Sequence, residues 1–453
     1  MKNEVQKKLN DSFGVRWGAL AIVAFTMMAA YYVNDVVAPL KSMLEASELA
    51  WNSSEFGLFT GAYSFLNVFL LMLIWGGLIL DKFGIRFTGK LATILMVAGT
   101  ALEYYAMTSL AGDPSTILGY KSSVFIASTG YSVFGVGAEV AGITVTKIIA
   151  KWFRGKEMAT AMGVQVALAR VGSQGAYAVA IPVARAYGLT MPVLIGLVCL
   201  VGGLIAFFIF SVLDRKLDRQ IAAAANGDNE EKFSFADVKN IVTNPGFWLI
   251  ALLCVLFYSC VFPFQKFASE LMITKYGIDE NVAGTIAGLP ALGALLLTPV
   301  FGGMIDKRGK SASIMALGAA MLIAVHGIYS LPFFTASWVA IILMIVLGIA
   351  FSLVPSAMWP AVAKIFPAQQ LGTAYALIFF IQNIGLWGIP TLIGAVLDNY
   401  CIVGETESGA NIYDYTLPMC IFTGIAVLSM LVALALKVAD RKYCYKLEEA
   451  NIQ

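Results

Sequence analysis

Gly77-Leu78-Ile79-Leu80-Asp81-Lys82-Phe83-Gly84 returns later in the chain as Gly302-Gly303-Met304-Ile305-Asp306-Lys307-Arg308-Gly309. Each copy closes a long apolar run and opens onto basic residues, and its glycine, aspartate, lysine and final glycine recur at one constant offset. A turn repeated in register half a chain apart marks an internal duplication, which governs how the rest is read.

Around that pair the 453-residue chain is 59% hydrophobic and 13% charged, against roughly 45–50% and 25% in soluble domains. A soluble fold has nowhere to bury so much apolar surface. Runs such as 18–33, 68–80, 193–212, 341–354 and 421–438 reach or approach the roughly 20 helical residues that cross a bilayer. Breaking the chain at charged or Pro/Gly-rich stretches predicts twelve spans, at 16–45, 53–80, 88–110, 121–150, 156–186, 190–213, 246–274, 281–305, 311–332, 336–365, 369–397 and 415–438. The expected fold class is an all-α membrane protein of twelve transmembrane helices in two six-helix bundles. The first bundle occupies 1–213, a cytoplasmic linker 214–245, and the second bundle with a cytoplasmic tail 246–453. The linker is too polar to span; it is expected to carry one short surface helix around 234–241 and no site chemistry.

Short loops rich in Lys and Arg stay cytoplasmic. Lys82, Arg86, Lys90, Lys147, Lys151, Arg154, Lys156, Arg215, Lys307, Arg308, Lys310, Lys364 and Arg441 fall on one side together with both ends of the chain. The opposite side has few bases, and its last loop is acidic, with Asp398, Glu405, Glu407 and Asp414. Both termini are therefore expected in the cytoplasm. The first apolar run is preceded by polar, basic residues and continues well past a signal core, so it reads as a permanent span. A net charge of +2 indicates nothing further about partners.

The six cysteines show no metal-ligand spacing; only Cys401 and Cys420 fall where they could meet, and free thiols are expected. The single histidine, His326, lies in an apolar run and reads as a packed side chain. No nucleophile with its base, metal cluster or nucleotide loop is legible, so an enzyme, a cofactor and a nucleic-acid partner are not expected.

Twelve spans with Gly-x-x-x-Asp-Lys-x-Gly after the second and again after the eighth resemble the major facilitator superfamily along the whole chain. The resemblance implies that Gly77, Asp81, Lys82, Gly84 and Arg86, with Gly302, Asp306, Lys307 and Gly309, form gating turns. In that family the loop glycines let paired helices approach and the charges latch the cytoplasmic ends of the bundles.

Charges inside the spans point to the cargo, because each is costly at depth. Glu139 sits in an otherwise neutral fourth span and Arg170 in the fifth. They stand fifteen residues before and sixteen residues after Arg154, the centre of the connecting turn, which places them about 22 and about 24 Å from it at 1.5 Å per residue. Both thus lie at one depth on adjacent antiparallel helices. A structural ion pair is one reading. The other is a clamp for a zwitterion, with Glu139 on an ammonium and Arg170 on a carboxylate. The second half serves as a control: aligning Ala159-Thr160-Ala161 with Gly372-Thr373-Ala374 sets Ser352 opposite Glu139 and Asn383 opposite Arg170. Only the first half keeps the charges, while the second offers Trp359, Gln382, Asn383 and Trp387.

A closer resemblance is to the dipeptide-transporter family within that superfamily, which includes lysosomal and microbial members. It rests on Ala62-Tyr63-Ser64-Phe65-Leu66-Asn67, Glu139, Lys151-Trp152-Phe153-Arg154-Gly155-Lys156-Glu157, Ala169-Arg170-Val171-Gly172-Ser173, Met358-Trp359-Pro360, Gln370-Leu371-Gly372-Thr373-Ala374-Tyr375 and Ile381-Gln382-Asn383-Ile384-Gly385. It implies a dipeptide bound through Glu139 and Arg170, with Tyr32, Tyr63, Asn67, Tyr258, Trp359, Gln382 and Asn383 completing the site. The expected partners are that small zwitterion and the lipid bilayer, with the chain a monomer. No acidic dileucine sorting signal is readable in 1–16, so a cell membrane is expected rather than a lysosome. The alternative function is a carrier or exchanger of small carboxylates, which Arg170 alone could serve and beside which Glu139 is counterproductive. Uniport or proton symport is left open, with Asp35, Glu103 and Glu139 as candidate proton sites.

Overall fold

A segment in lipid has no water for its peptide groups, so each apolar run has to close its hydrogen bonds within a helix. The computed structural model describes residues 8–153, 156–222, 235–367, 370–406 and 409–450. Its helices are α1 (Phe13–Val36), α2 (Lys41–Glu45), α3 (Ser53–Phe69), α4 (Met72–Ser109), α5 (Ser122–Trp152), α6 (Met158–Tyr187) and α7 (Met191–Ala222), then α8 (Phe235–Val242). There follow α9 (Pro245–Thr274), α10 (Glu280–Ala287), α11 (Leu289–Arg308), α12 (Ser311–Ser330), α13 (Ser337–Ile365), α14 (Leu371–Tyr400) and α15 (Thr416–Tyr443). Eleven of the described helical segments are long and apolar enough to cross a membrane. α4 covers two passes, so twelve result. Arg154, Gly155 and Glu407, all used in the sequence reading, lie outside the described residues.

Three expected spans are broken, two of them beside a proline. The first bends through a short 3₁₀ turn at Ala38–Leu40, where Pro39 lacks an N–H. The eighth breaks between α10 and α11 beside Pro290. The second stops at Phe69 and restarts at Met72, with Leu71 in the left-handed region at φ 53°. Helix α4 then runs on to Gly84, whose φ of 73° reverses the chain into the third pass. Gly309 closes the second copy of the repeated turn at φ 68°, a backbone conformation that only glycine adopts freely.

The linker differs from expectation. α7 continues to Ala222, so its first residues are helix. Asp214, assigned no chemistry by the sequence, is wholly buried and accepts hydrogen bonds from Trp152 Nε1 at 2.9 Å, Lys151 Nζ at 2.8 Å and Arg86 at 3.3 Å. Desolvating a carboxylate is tolerable when three donors surround it. The short helix expected around 234–241 is α8. Two antiparallel hairpins were not foreseen: β1 (Thr116–Ile117) pairs with β2 (Tyr120–Lys121), and β3 (Ile402–Glu405) with β4 (Asn411–Tyr413).

Small residues set the helix spacing. Gly135 of α5 lies so close to α3 that a methyl group there would overlap the Tyr63 carbonyl, and Gly172 of α6 is equally tight against Met28 of α1. α7 carries Val198, Ile205, Phe208, Ile209 and Val212 exposed along its outer face, as a lipid-facing surface should. His326 is buried with Nε2 3.0 Å from the Cys260 carbonyl, between Phe264 and Phe422, which agrees with its reading as a packed side chain. All six cysteines are free.

Two outcomes test this packing. Gly135→Val is expected to destabilise the purified protein by about 1–3 kcal/mol through overpacking, read as a lower detergent melting temperature, whereas Gly77→Ala, facing open space, leaves it unchanged. Near the chain start, Lys156 bonds Asp11 and Arg16 bonds Glu157 at 2.7 Å. The Lys156 hydrogen bond, then that from the Lys8 backbone, holds Asp11 below its usual range, and the Arg16 hydrogen bond does the same for Glu157. Depressed carboxyls lend stability that is present above their unfolded values and lost as pH falls through the folded ones. Protease protection of the first helix should therefore be full above the ordinary carboxylate range, decline as pH falls through it, and be lost below the depressed folded values.

Candidate functional site

The two halves meet mainly at the end away from the linker. There α3 and α14 pack so closely that a side chain at Gly57 or Gly61 would strike the Pro390 or Trp387 carbonyl. The Asp398 carboxylate of α14 caps the start of α3, accepting from the Ser53 and Ser54 amides at 3.0 and 2.5 Å. It thus supplies charge where the helix dipole favours it. Lys41 of α2, buried, pairs with Glu270 of α9 at 2.7 Å and with Glu45 at 3.5 Å, and lies 4.3 Å from the Tyr413 ring. Tyr415 donates to Glu270, while Asn411 and Tyr413 of β4 donate to Glu45 at 2.9 and 2.8 Å. Closer to the centre, Lys266 of α9 bridges to Asp35 of α1 at 2.9 Å and to the Asn34 carbonyl at 2.6 Å.

At the linker end the repeated turns sit apart, each tied to its own half. Asp81 pairs with Lys147 of α5 at 3.2 Å, and Arg86 with Asp218 of α7 at 2.5 Å; Lys82 is exposed. In the second copy the turn receives the chain's tail: the Lys310 and Ser311 amides donate to the Glu448 and Leu447 carbonyls, and Ser313 donates to the Glu448 carboxylate. Asp306 is half-buried and Lys307 exposed beside it. Gly77 and Gly302 face open space, so no helix approaches them here; the close approach belongs to Gly76, against Val140.

Between these ends lies a cavity of about 440 Å³ whose lining includes Tyr31, Asn34, Tyr131 and Lys266, and Gly142, Thr146, Gln165 and Val166 on the helix stretches nearer the linker. Glu139 and Arg170 both face it. No ion pair joins them among the described residues. Glu139 accepts one hydrogen bond, from Tyr63 OH at 3.1 Å. Arg170 stands against the Phe351 ring of α13 at 4.8 Å and the Tyr31 ring of α1 at 5.5 Å. Such ring contacts hold a guanidinium without consuming its N–H donors. The bare structural ion pair weighed from the sequence is therefore not what forms.

Of the remaining expected residues, Tyr63, Tyr258, Trp359, Gln382 and Asn383 line the cavity. Tyr258 stacks on Phe262 at 5.4 Å and Trp359 on Phe379 at 4.8 Å. Asn383 donates to the Phe379 carbonyl, and its side-chain oxygen is buried without a partner. Two are placed elsewhere. Tyr32 turns to α7, donating to the Pro192 carbonyl at 3.3 Å, because one residue along a helix rotates the side chain by about 100°; Tyr31 faces the cavity instead. Asn67 is packed away from the cavity with both amide atoms unpartnered. Residues missed by sequence reasoning are Tyr31, Asn34, Tyr131, Phe351 and Lys266. Lys266 carried a signal, being a base well inside the seventh predicted span.

Comparison with known proteins agrees with this fold. The family model of the Major Facilitator Superfamily matches residues 20–390 and 268–443. The lysosomal dipeptide transporter MFSD1 of Homo sapiens is 28% identical over 394 residues, 84% of this chain and 79% of that one. Among solved structures, a mutant of the nucleoside transporter NupG has a TM-score of 0.69 at 14% identity over 92% of this chain and 98% of its own. A D-xylose-proton symporter has a TM-score of 0.68 at 15% identity over 93% and 97%.

The far-end contact is open to test. Asp398→Ala removes the acceptors of the Ser53 and Ser54 amides while the Asn52 cap of α3 remains, an effect of about 1 kcal/mol. In a background freed of native cysteines, a reporter Thr60→Cys is then expected to react faster with an impermeant thiol reagent added on the far side; unchanged labelling would show that Asp398 does not hold the halves together.

Proposed function

We propose that this chain, which belongs to the Major Facilitator Superfamily, carries dipeptides across a membrane, with the peptide's ammonium on Glu139 and its carboxylate on Arg170. The observation that carries the reading is that two opposite charges face one cavity and leave each other unpaired. A charge withdrawn from water without a partner is costly, and a zwitterion supplies both missing partners at once. Tyr63 uses one acceptor site of Glu139, leaving the others for an ammonium. The rings beside Arg170 leave its planar edge for a bidentate carboxylate. A two-residue peptide spans at most about 7 Å, and Asn383 offers a buried oxygen to its neutral amide. The named activity of the human relative supports the same substrate class.

The cycle is alternating access. The bundles at 1–213 and 246–453 rock about the cavity, and the linker end, rich in Lys and Arg, faces the cytoplasm of a cell membrane. The far end is held shut by Asp398, Lys41 and Lys266, and the cavity runs toward Thr146 and Gln165, so this is the cytoplasm-facing state. When that end closes, the open space beside Gly77 and Gly302 receives the opposite half, and Asp81, Lys82, Gly84, Arg86, Asp306, Lys307 and Gly309 act as the gate. Phe351 and Tyr31 come from different halves, so a carboxylate on Arg170 is sensed by both.

Thermal-shift screening of purified protein against amino acids, dipeptides, tripeptides and small carboxylates tests the substrate. Dipeptides are expected to stabilise it. Arg170→Ala and Glu139→Gln each remove a charge-assisted contact of about 1.5–3 kcal/mol, so affinity should fall roughly 10- to 150-fold. Stabilisation by oxalate or lactate without any by dipeptides would replace this reading with the carboxylate carrier.

A further inference from the structure

We propose that Lys266, at the far end of the cavity, recognises an acidic side chain on the first residue of the cargo, so that the preferred dipeptides begin with glutamate. This rests on the dipeptide reading of Glu139 and Arg170 and narrows the cargo within it. Lys266 is a third charge on the cavity lining, contributed by α9 of the second half. Its ammonium has three N–H donors. Two are spent, on the Asp35 carboxylate at 2.9 Å and the Asn34 carbonyl at 2.6 Å; among the described residues the third has no acceptor. Asp35 also accepts from the Asn34 side chain at 2.9 Å and is not on the lining. The counter-ion thus stands behind the ammonium and leaves a donor for the cavity side. A bridge between the halves does not by itself need that position: Lys41, which meets Glu270 and Glu45 at the same end, lies off the lining.

The register of α5 fixes which part of a dipeptide arrives there. Tyr131 donates to the same Asn34 carbonyl at 2.7 Å, so Lys266 stands at the level of Tyr131. Glu139 follows eight residues later on the same helix, about 12 Å nearer the linker end at 1.5 Å per residue. Tyr63 joins the two levels along one wall, with its OH on Glu139 and its ring 5.7 Å from that of Tyr131. An ammonium held by Glu139 therefore brings its own residue's side chain beneath Lys266, while Arg170, set against Phe351 and Tyr31, draws the second residue aside. Bonds of about 1.5 Å separate the ammonium and carboxylate of an extended glutamate by about 6 Å. With a charge-assisted contact of about 2.8 Å at each end it bridges about 12 Å, the separation of the two levels. Aspartate is shorter by one methylene, and lysine in that place would set ammonium against ammonium. The carboxylate has to share Lys266 with Asp35, which holds its gain to the lower end of a charge-assisted hydrogen bond, about tenfold in affinity.

Calorimetric titration of the purified protein with glutamyl-alanine, glutaminyl-alanine, lysyl-alanine and alanyl-glutamate tests this. Glutamyl-alanine is expected to bind about tenfold tighter than glutaminyl-alanine, with lysyl-alanine weakest. Alanyl-glutamate, of the same net charge, should show no such gain, which separates a contact at the first residue from a general attraction of acidic peptides to the cavity. In Lys266→Gln the ratio of glutamyl-alanine to glutaminyl-alanine affinity should fall to about one, whatever the absolute affinities, and Lys266→Arg should keep it. A ratio near one in wild type, an equal gain for alanyl-glutamate, or a ratio that survives Lys266→Gln overturns the role of Lys266; the wild-type comparison decides this even where a variant does not fold. Dipeptides that bind without this bias leave the carrier reading standing, whereas no binding by any dipeptide removes both.

Discussion

A charge inside an apolar bundle persists only where something answers it, and that constraint organises this molecule. Most of its buried charges are answered by the protein. Asp214 has three donors, Lys41 two carboxylates and a ring, and Asp35 an ammonium from the other half. These fixed pairs hold the first half's linker end and the seam between the halves at the far end. Glu139 and Arg170 are the exceptions at the cavity wall, one held by a single phenol and the other by two ring faces. Where the protein leaves charges half answered, a ligand has room to finish the work.

The seam at the far end is built from two kinds of contact. Glycines of α3 and α14 bring backbones together, which gains dispersion contacts and excludes water. Within that dry seam, charge pairs between halves are stronger than they would be in water and cost more to break. The linker end lacks such a zip at Gly77 and Gly302, where the space is open. Duplication supplied two similar turns, and the chain has dressed them differently: α7 meets the first through Asp214 and Asp218, and the tail meets the second through Leu447 and Glu448.

Much of the candidate site was legible because intramembrane charges are few and helical rise is constant. Glu139 and Arg170 were located by counting from one turn, and both face one cavity. Tyr32 and Asn67 show the limit of that counting. Rise fixes depth, but azimuth depends on how each helix rotates against its neighbours, and Tyr31 rather than Tyr32 ends up facing inward. Asp214 was missed because it reads as the first polar residue of a linker, while its burial depends on Arg86, Lys151 and Trp152 arriving from distant parts of the chain.

By itself the sequence determined the twelve passes, the duplication, the membrane setting and the common depth of two opposite charges, because each follows from composition or from distance along one helix. Only the tertiary structure decided which end of the bundles is shut, that Glu139 and Arg170 do not pair with each other, that Phe351 from the other half stands against Arg170, and that Glu103 is sealed without a partner. Those facts depend on helix rotation and on contacts between segments far apart in the chain, for which no local pattern carries a signal.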